Sequence, residues 1–166
     1  RLGRMVSKYS RAFDMKVIAT DPYVDSATMK EFGVDKVSLN ELLKTADIVS
    51  LHSIYNDETF GMLKFEHFAM MKSEAVFINT ARGEITEEAG LLRALKEKKI
   101  AGAAVDTLAN ESPDGAHLTK NPLVEYARKH DNLIIVPHLG GATQEATERT
   151  QLYISELVIN EIKKRK

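Results

Sequence analysis

The chain has 166 residues, of which 43% are hydrophobic and 28% charged, and its formal net charge is −1. This length suits one domain with a substantial core, and the near-neutral charge gives no reason to expect nucleic acid or an anionic membrane as a partner. The chain has no cysteine, which excludes disulfides and thiolate metal sites. No apolar run approaches the roughly 20 residues of a membrane helix and no signal peptide opens the chain, so we expect a cytoplasmic protein.

Helical and extended segments alternate along the chain. Apolar residues spaced three or four apart predict helices over residues 2–13, 26–32, 38–45, 64–71, 86–98 and 143–166. Short apolar runs predict strands over residues 16–20, 47–51, 74–79, 100–105 and 133–136, and the stretch between the last two strands is predicted to be irregular. This alternation predicts an α/β protein: a three-layer αβα, Rossmann-like fold with a doubly wound parallel sheet.

Polar residues follow the predicted strands at their carboxyl ends. They are Asp21, His52, Ser53, Thr80, Arg82, Asp106 and His138. In a doubly wound sheet these loops converge on one crevice, where ligands bind. Each residue taken alone also has an ordinary interpretation: Asp21 as part of a plain turn, Arg82 as a surface arginine, and His138 as a partly buried histidine without a chemical role. Their shared position favours a site.

These residue types suit the reduction of a 2-keto acid. An arginine binds a carboxylate through two parallel hydrogen bonds and polarises the neighbouring carbonyl, which is the role predicted for Arg82. Histidine is the natural proton donor near neutral pH, and a carboxylate beside it fixes its tautomer. His138 and Glu111 are the predicted pair, although Glu111 alone also fits a solvated loop carboxylate. The side chains include no redox group, so the hydride must come from a cofactor.

The first residues fit part of a dinucleotide-binding unit. Gly3 opens a predicted helix, and Asp21 follows the next strand at the spacing at which an acidic residue binds the ribose hydroxyls of a dinucleotide. A carboxylate there, with no arginine directly after it, favours NAD over NADP because it repels a 2′-phosphate. No two histidines have the spacing of a metal site, and no metal is predicted.

Four blocks of the sequence stand in the order in which one known family carries them. They are Arg1-Leu2-Gly3-Arg4, Asn79-Thr80-Ala81-Arg82-Gly83, the run from Ala101 to Asp106 with Glu111-Ser112-Pro113, and Pro137-His138-Leu139-Gly140-Gly141-Ala142-Thr143. Together they resemble the NAD-binding domain of the D-isomer-specific 2-hydroxyacid dehydrogenases over essentially the whole chain. The first two glycines of the family's glycine-rich loop and the strand before them are missing, so the sheet is expected to lack its first strand.

The resemblance implies a role for each matching residue. Catalysis would fall to His138 as acid/base, to Glu111 as its partner, and to Arg82 as the ligand of the substrate carboxylate. NAD would be bound by Arg1, Leu2 and Gly3 at the pyrophosphate, Asp21 at the adenosine ribose, His52, Ser53, Thr80 and Ala81 along the dinucleotide, Asp106 near the nicotinamide amide, and Gly140 and Gly141 in the histidine block. The implied reaction is hydride transfer between NAD(H) and a D-2-hydroxy or 2-keto acid, with 3-phosphoglycerate as the first guess, in a homodimer.

The resemblance also divides the chain into two parts. Residues 1–142 would form the NAD-binding domain, and residues 143–166 a helix that crosses back to a substrate domain absent from this chain. The isolated 166 residues are therefore expected to turn over poorly or not at all. Two alternatives stay open: a non-catalytic module that binds NAD(H) or mediates dimerisation, and another enzyme on the same scaffold, such as a formate dehydrogenase-like protein, which carries glutamine where Glu111 stands.

Overall fold

The computed structural model describes residues 2–112 and 114–164, which form alternating strands and helices. The strands are β1 (Ile18–Ala19), β2 (Asp35–Lys36), β3 (Ile48–Leu51), β4 (Val76–Asn79), β5 (Gly102–Val105) and β6 (Leu133–Ile135). The helices are α1 (Leu2–Ala12), α2 (Ser26–Glu31), α3 (Leu39–Thr45), α4 (Phe65–Ala69), α5 (Glu88–Lys96), α6 (Pro122–Ala127) and α7 (Gln144–Lys164). All strand pairs are parallel and helices flank them, which confirms the predicted α/β, Rossmann-like class.

The larger sheet fixes the edge at which the predicted site residues lie. Its strand order is β3-β4-β5-β6, and its register aligns Leu51 with Asn79, Asn79 with Val105, and Val105 with Ile135. The loops that leave these strands therefore begin side by side. Strands β1 and β2 pair only with each other, and within the described residues no strand joins them to β3. Ile48 at the free edge of β3 is half exposed.

The core lies on one face of the larger sheet. The aligned side chains of Val49, Phe77, Ala103 and Leu133 are all buried there beneath helices that follow the strands. The rings of Phe68 on α4 and Phe77 meet edge to face, with centroids 5.1 Å apart. This arrangement is favourable for aromatic rings and anchors α4 to the sheet.

The opposite face of the same sheet is covered more sparsely. Its aligned row contains Ser50, Ile78 and Ala104, which are only partly buried, and Ile134, which is 60% exposed. Parallel strands are usually buried on both faces. Helix α7, which the apolar spacing predicts correctly, has no buried residue, and Ser7 is the only buried residue of α1. The two faces of this sheet are thus unequally packed.

Two of these strands and helices were not predicted, and one predicted helix begins later than its apolar spacing indicates. Strand β2 is two residues long and both are charged, so it has no apolar pattern. Helix α6 lies in the stretch predicted to be irregular, where Asn121 caps it and Pro122 occupies its first turn. Thr86, the first residue of the helix predicted over residues 86–98, lies outside α5, which begins at Glu88. Its buried hydroxyl instead accepts a hydrogen bond from Nδ2 of Asn79, at 3.4 Å.

A helix that crosses a bilayer needs about 20 mainly apolar residues. Not one of those helices combines the length and apolar character required to cross a membrane.

Thr107 yields a stability prediction. Its side chain is buried, and its hydroxyl has no hydrogen-bond partner among the described residues. Because a buried hydroxyl without a partner costs about 1 kcal/mol or more, the isosteric change Thr107→Val is expected to raise the free energy of unfolding by about 1 kcal/mol, measured by urea denaturation.

Thr59→Val is the matched control for this change. Its hydroxyl donates to the carbonyl of Ile54, at 2.7 Å, and accepts from the Asn56 N–H, at 2.9 Å, so its loss should destabilise by about 1 kcal/mol. A Thr107→Val variant that is destabilised as much as Thr59→Val would show that the Thr107 hydroxyl is satisfied.

Candidate active site

The arginine loop after β4 is shaped by a buried asparagine. Asn79 is 1% exposed; its Oδ1 accepts the Ala81 N–H at 2.9 Å, and its Nδ2 donates to the Arg82 carbonyl at 2.9 Å. The Arg82 side chain is exposed, and its Nη1 donates to the Ala81 carbonyl at 2.6 Å. A guanidinium has five N–H donors, so this internal bond leaves others for a ligand. Asn79 was not predicted as a site residue, although it ends the strand directly before the loop.

Gly83 brings the arginine loop against the loop that follows β5. A Cβ atom at position 83 would lie 2.1 Å from the carbonyl carbon of Leu108 and 2.2 Å from the nitrogen of Ala109. No side chain fits in that space, so the two backbones touch directly. This contact places Arg82 next to the loop that carries Glu111. The separation of the two residues in the sequence does not predict that they are close.

The structure brings Glu111 and His138 together. Oε2 of Glu111 lies 2.6 Å from Nδ1 of His138, while Oε1 accepts the Leu108 N–H at 2.8 Å. The two side chains are 28% and 45% exposed, so the pair is open to a ligand on one side. Among the described residues, Nε2 of His138 has no hydrogen-bond partner. The carboxylate therefore occupies one ring nitrogen and leaves the other available to a ligand.

Asp106 holds the turn that carries His138. Its carboxylate is buried and accepts the N–H groups of Leu139, at 2.7 Å, and Gly140, at 3.0 Å. The Asp106 carbonyl also accepts the His138 N–H at 2.9 Å. His138 has a left-handed backbone, with φ of 52°, which is uncommon for a residue with a side chain and needs such support. The nicotinamide contact implied for Asp106 stays a prediction, and each of its oxygens already accepts one backbone N–H.

The remaining predicted residues that the structure describes lie on α1, in the loop after β1 and in the loops that leave the larger sheet. The start of α1 packs against the side chain of His52. A Cβ atom built at Gly3 would lie 3.6 Å from the Cβ of His52. Asp21 follows β1, and its Oδ1 accepts the Tyr23 N–H at 2.8 Å. The Tyr23 hydroxyl donates to Glu58 in the loop after β3, which links the two loops. Leu2, Ser53, Thr80, Gly140 and Gly141 are exposed and Ala81 is half-buried, whereas Arg1 lies outside the described residues.

His52 presents a buried polar atom toward this region. Its Nε2 is 3.0 Å from the Ser50 hydroxyl, while its Nδ1 is buried without a partner in the described structure. Burial lowers the pKa of His52, so the ring is neutral at pH 7. A neutral His52 ring adds no positive charge of its own beside the first turn of α1. Within residues 2–112 and 114–164, no three His, Asp or Glu side chains are placed to hold a metal ion.

The contact at Gly83 yields a second stability prediction. Gly83→Ala places a methyl group inside the backbone of the neighbouring loop, and we expect a loss of roughly 3 kcal/mol in the free energy of unfolding. Gly141→Ala is the control: nothing lies within 4 Å of a Cβ at that position, so its stability should stay within about 0.5 kcal/mol of wild type. Equal stability of the two variants would contradict the close approach.

The lowered pKa of His52 yields a pH prediction. The unfolded chain takes up a proton at His52 at a higher pH than the folded chain, so folding loses stability there as the pH falls below about 6.5. Between pH 7 and pH 5.5 the free energy of unfolding should therefore fall more in the wild type than in His52→Gln, measured by urea denaturation at each pH. An equal fall in both proteins would contradict the burial of this ring.

Comparison with known proteins identifies the family. Residues 1–140 match the family model described as D-isomer specific 2-hydroxyacid dehydrogenase, NAD binding domain. The chain is 37% identical over 159 residues to the D-3-phosphoglycerate dehydrogenase of Bacillus subtilis, which covers 96% of this chain and 29% of that protein. It is 36% identical over 159 residues to the D-3-phosphoglycerate dehydrogenase of Methanocaldococcus jannaschii, covering 95% of this chain and 29% of that protein.

A solved structure shows the same similarity. The D-lactate dehydrogenase of Aquifex aeolicus, solved with NAD and lactic acid, is 34% identical with a TM-score of 0.81, covering 95% of this chain and 49% of that one. The chain thus spans about half of this relative and under a third of the two phosphoglycerate dehydrogenases. The resemblance carried by the four sequence blocks is confirmed. The chain belongs to the D-isomer specific 2-hydroxyacid dehydrogenases and is an NAD-binding domain of that family.

Proposed function

We propose that the protein interconverts a 2-keto acid and a D-2-hydroxy acid with NAD(H), and that His138, Glu111 and Arg82 carry the reaction. The observation that supports this most is the 2.6 Å contact between Glu111 Oε2 and His138 Nδ1, in a loop packed directly against the arginine loop. A proton donor and a carboxylate ligand in adjacent loops are what a 2-keto acid needs. When bound, NADH supplies the hydride to the carbonyl carbon.

His138 moves the proton. With Nδ1 hydrogen-bonded to Glu111, Nε2 is the atom that gives a proton to the carbonyl oxygen during reduction and takes it back during oxidation. Glu111 holds the ring in this orientation and stabilises its protonated form. Oε1 of Glu111 is tied to the Leu108 N–H, so the carboxylate itself has a fixed position.

Arg82 binds the carboxylate of the substrate. Its guanidinium is exposed, stands on a loop braced by Asn79, and offers the paired N–H groups that match a carboxylate. The same positive charge draws electron density from the adjacent carbonyl, which makes its carbon more electrophilic. A lysine would keep the charge but lose the paired geometry.

The residues predicted to bind the cofactor are of types that fit NAD. The start of α1 offers backbone N–H groups to the pyrophosphate at Leu2 and Gly3, and Nδ1 of the neutral His52 ring beside it has no partner in the described part of the chain. Oδ1 of Asp21 accepts the Tyr23 N–H, and its Oδ2, for which no partner is found among residues 2–112 and 114–164, would bind the ribose hydroxyls. The exposed side chains of Ser53 and Thr80 would line the dinucleotide, with Ala81, Gly140 and Gly141 leaving room for it.

The identity of the substrate and the oligomeric state depend on more than the NAD-binding domain. Relatives named for 3-phosphoglycerate and for lactate both match this chain, and Arg82 would bind the carboxylate common to both acids. We take 3-phosphoglycerate as the first guess and propose that a substrate domain, reached through α7, completes the site. A cytoplasmic homodimer is proposed on the habit of the family. The carboxylate of Glu111 favours this function over a formate dehydrogenase-like one, for which glutamine is expected.

The catalytic assignment is tested with two substitutions in the full-length protein. His138→Gln removes the proton donor and should lower kcat for keto-acid reduction by about 10²–10⁴-fold, and Arg82→Lys should lower kcat/KM by roughly 10–100-fold. Both variants should bind NADH within about twofold of wild type, since neither side chain is assigned to the cofactor; the readouts are initial rates with a panel of 2-keto acids and NADH fluorescence titration.

The result also separates the alternatives. A wild-type protein that binds NADH but reduces no 2-keto acid, including 3-phosphohydroxypyruvate, would support a non-catalytic cofactor-binding module and contradict this proposal. Full activity of His138→Gln would contradict only the role of His138 as proton donor and would leave the proposed reaction standing.

A further inference from the structure

Three consecutive backbone N–H groups in the loop after β5 are each held by a different carboxylate. The Leu108 N–H donates to Glu111 at 2.8 Å, and the Ala109 N–H donates to Oε1 of Glu88 at 2.8 Å. The Asn110 N–H donates to Glu84 at 3.1 Å. Glu84 and Glu88 come from the segment after Arg82, so the arginine side of the site holds the backbone of the glutamate side. Hydrogen bonds of an N–H to a charged oxygen are stronger than neutral ones.

Glu88 ties this loop to a third element. Its Oε2 accepts Nδ2 of Asn121 at 2.9 Å, and Oδ1 of Asn121 caps α6 by accepting the N–H of Leu123 at 2.8 Å. Glu88 is partly buried and Asn121 is 9% exposed, so this chain of hydrogen bonds is sheltered from water. Both carboxylate oxygens of Glu88 are therefore used, one on the active-site loop and one on the cap of α6.

We propose that Glu88 is a positioning residue of the active site, which fixes the backbone two residues before Glu111 and thereby sets the contact of Glu111 with His138. This inference rests on the proposed function, because Glu88 would act only through that pair. It concerns a side chain that touches neither substrate nor cofactor.

The geometry gives Glu88 this control. Asn110, between Ala109 and Glu111, has a left-handed backbone with φ of 56°, a strained conformation that the neighbouring hydrogen bonds support. Gly83 lies against the same Leu108–Ala109 peptide, so this part of the loop is held by a close backbone contact as well as by the hydrogen bond to Glu88. Loss of the hydrogen bond leaves only the backbone contact to fix the peptide. A displacement of about 1 Å in a catalytic group can cost roughly 100-fold in rate.

The test exchanges the carboxylate of Glu88 and the amide of Asn121 between the two positions. Glu88→Gln keeps an oxygen for the Ala109 N–H but turns an NH₂ group toward the NH₂ group of Asn121, which cannot reverse because its oxygen caps α6. Adding Asn121→Asp replaces the NH₂ group at position 121 by a carboxylate oxygen, which accepts the NH₂ group of the new glutamine. The hydrogen bonds to the Ala109 N–H, between positions 88 and 121, and to the Leu123 N–H are then all restored, with the negative charge moved from position 88 to position 121. Glu97→Gln, at the exposed end of α5, is the control for loss of one negative charge.

We expect Glu88→Gln to lower kcat/KM for keto-acid reduction by roughly 10–100-fold in the full-length protein. The alkaline limb of its pH–rate profile should move to lower pH, because a displaced Glu111 stabilises the protonated histidine less. NADH affinity should be unchanged, as should all parameters of Glu97→Gln. The double variant Glu88→Gln/Asn121→Asp should return to within about threefold of wild type with the wild-type pH profile.

Two results would overturn the proposal: wild-type rates and pH profile in Glu88→Gln, or a folded double variant that stays impaired. Should the single variant fail to fold, the double variant carries the test alone, since a folded and inactive double variant contradicts the account. A wild-type protein without reductase activity would refute the proposed function instead. Amide hydrogen exchange of residues 108–111 without cofactor then reports on Glu88 separately, with faster exchange expected in the single variant and wild-type exchange in the double.

Discussion

The close approach of Gly83 to the Leu108–Ala109 peptide is the constraint on which the site depends. Two loops that leave neighbouring strands of a parallel sheet would ordinarily lie side by side with side chains between them. Here the absence of a Cβ at position 83 lets the backbones touch. The substrate ligand on one loop and the histidine partner on the other are thereby placed in fixed relation, with no flexible side chain between them to absorb an error.

Carboxylates then convert this contact into a fixed geometry. Glu84, Glu88 and Glu111 each hold one N–H of the loop after β5, and Asp106 holds two N–H groups of the turn at His138. Four acidic side chains therefore each accept at least one backbone N–H in these loops. This use explains how two loops without regular structure, one of them with a left-handed histidine, can present reacting groups at defined positions.

Much of the fold, and the placement of the main candidate residues in loops after strands, could be predicted from the sequence because their signals are local. Helices and buried strands carry an apolar period, and residues such as Arg82 and His138 stand directly after strands whose carboxyl ends must meet. The predicted pairing of His138 with Glu111, 27 residues away in the chain, rests on the place of Glu111 in the loop after β5, and the family blocks imply the same pair. Parallel strands with aligned ends bring such distant residues together, and that relation follows from topology rather than from spacing.

The remaining features depend on tertiary contacts that leave little trace in the sequence. Strand β2 has two charged residues and exists only because it pairs with β1. Helix α6 did carry a local signal, since an asparagine before a proline is typical of a helix start, but its six residues are too few for a clear period. The bonds that Asn79 and Glu88 make to backbone groups require knowledge of which loops touch.

The most direct test of the account is a crystal structure of the full-length protein with NADH and oxamate, an unreactive analogue of a 2-keto acid. We expect the oxamate carboxylate to make two hydrogen bonds to Arg82, and its amide carbonyl oxygen, which stands in for the keto oxygen, to lie within about 3 Å of Nε2 of His138, with Glu111 still on Nδ1. Oxamate bound with its carboxylate away from Arg82, or a His138 ring turned so that Nε2 faces Glu111, would contradict the assignment of these residues.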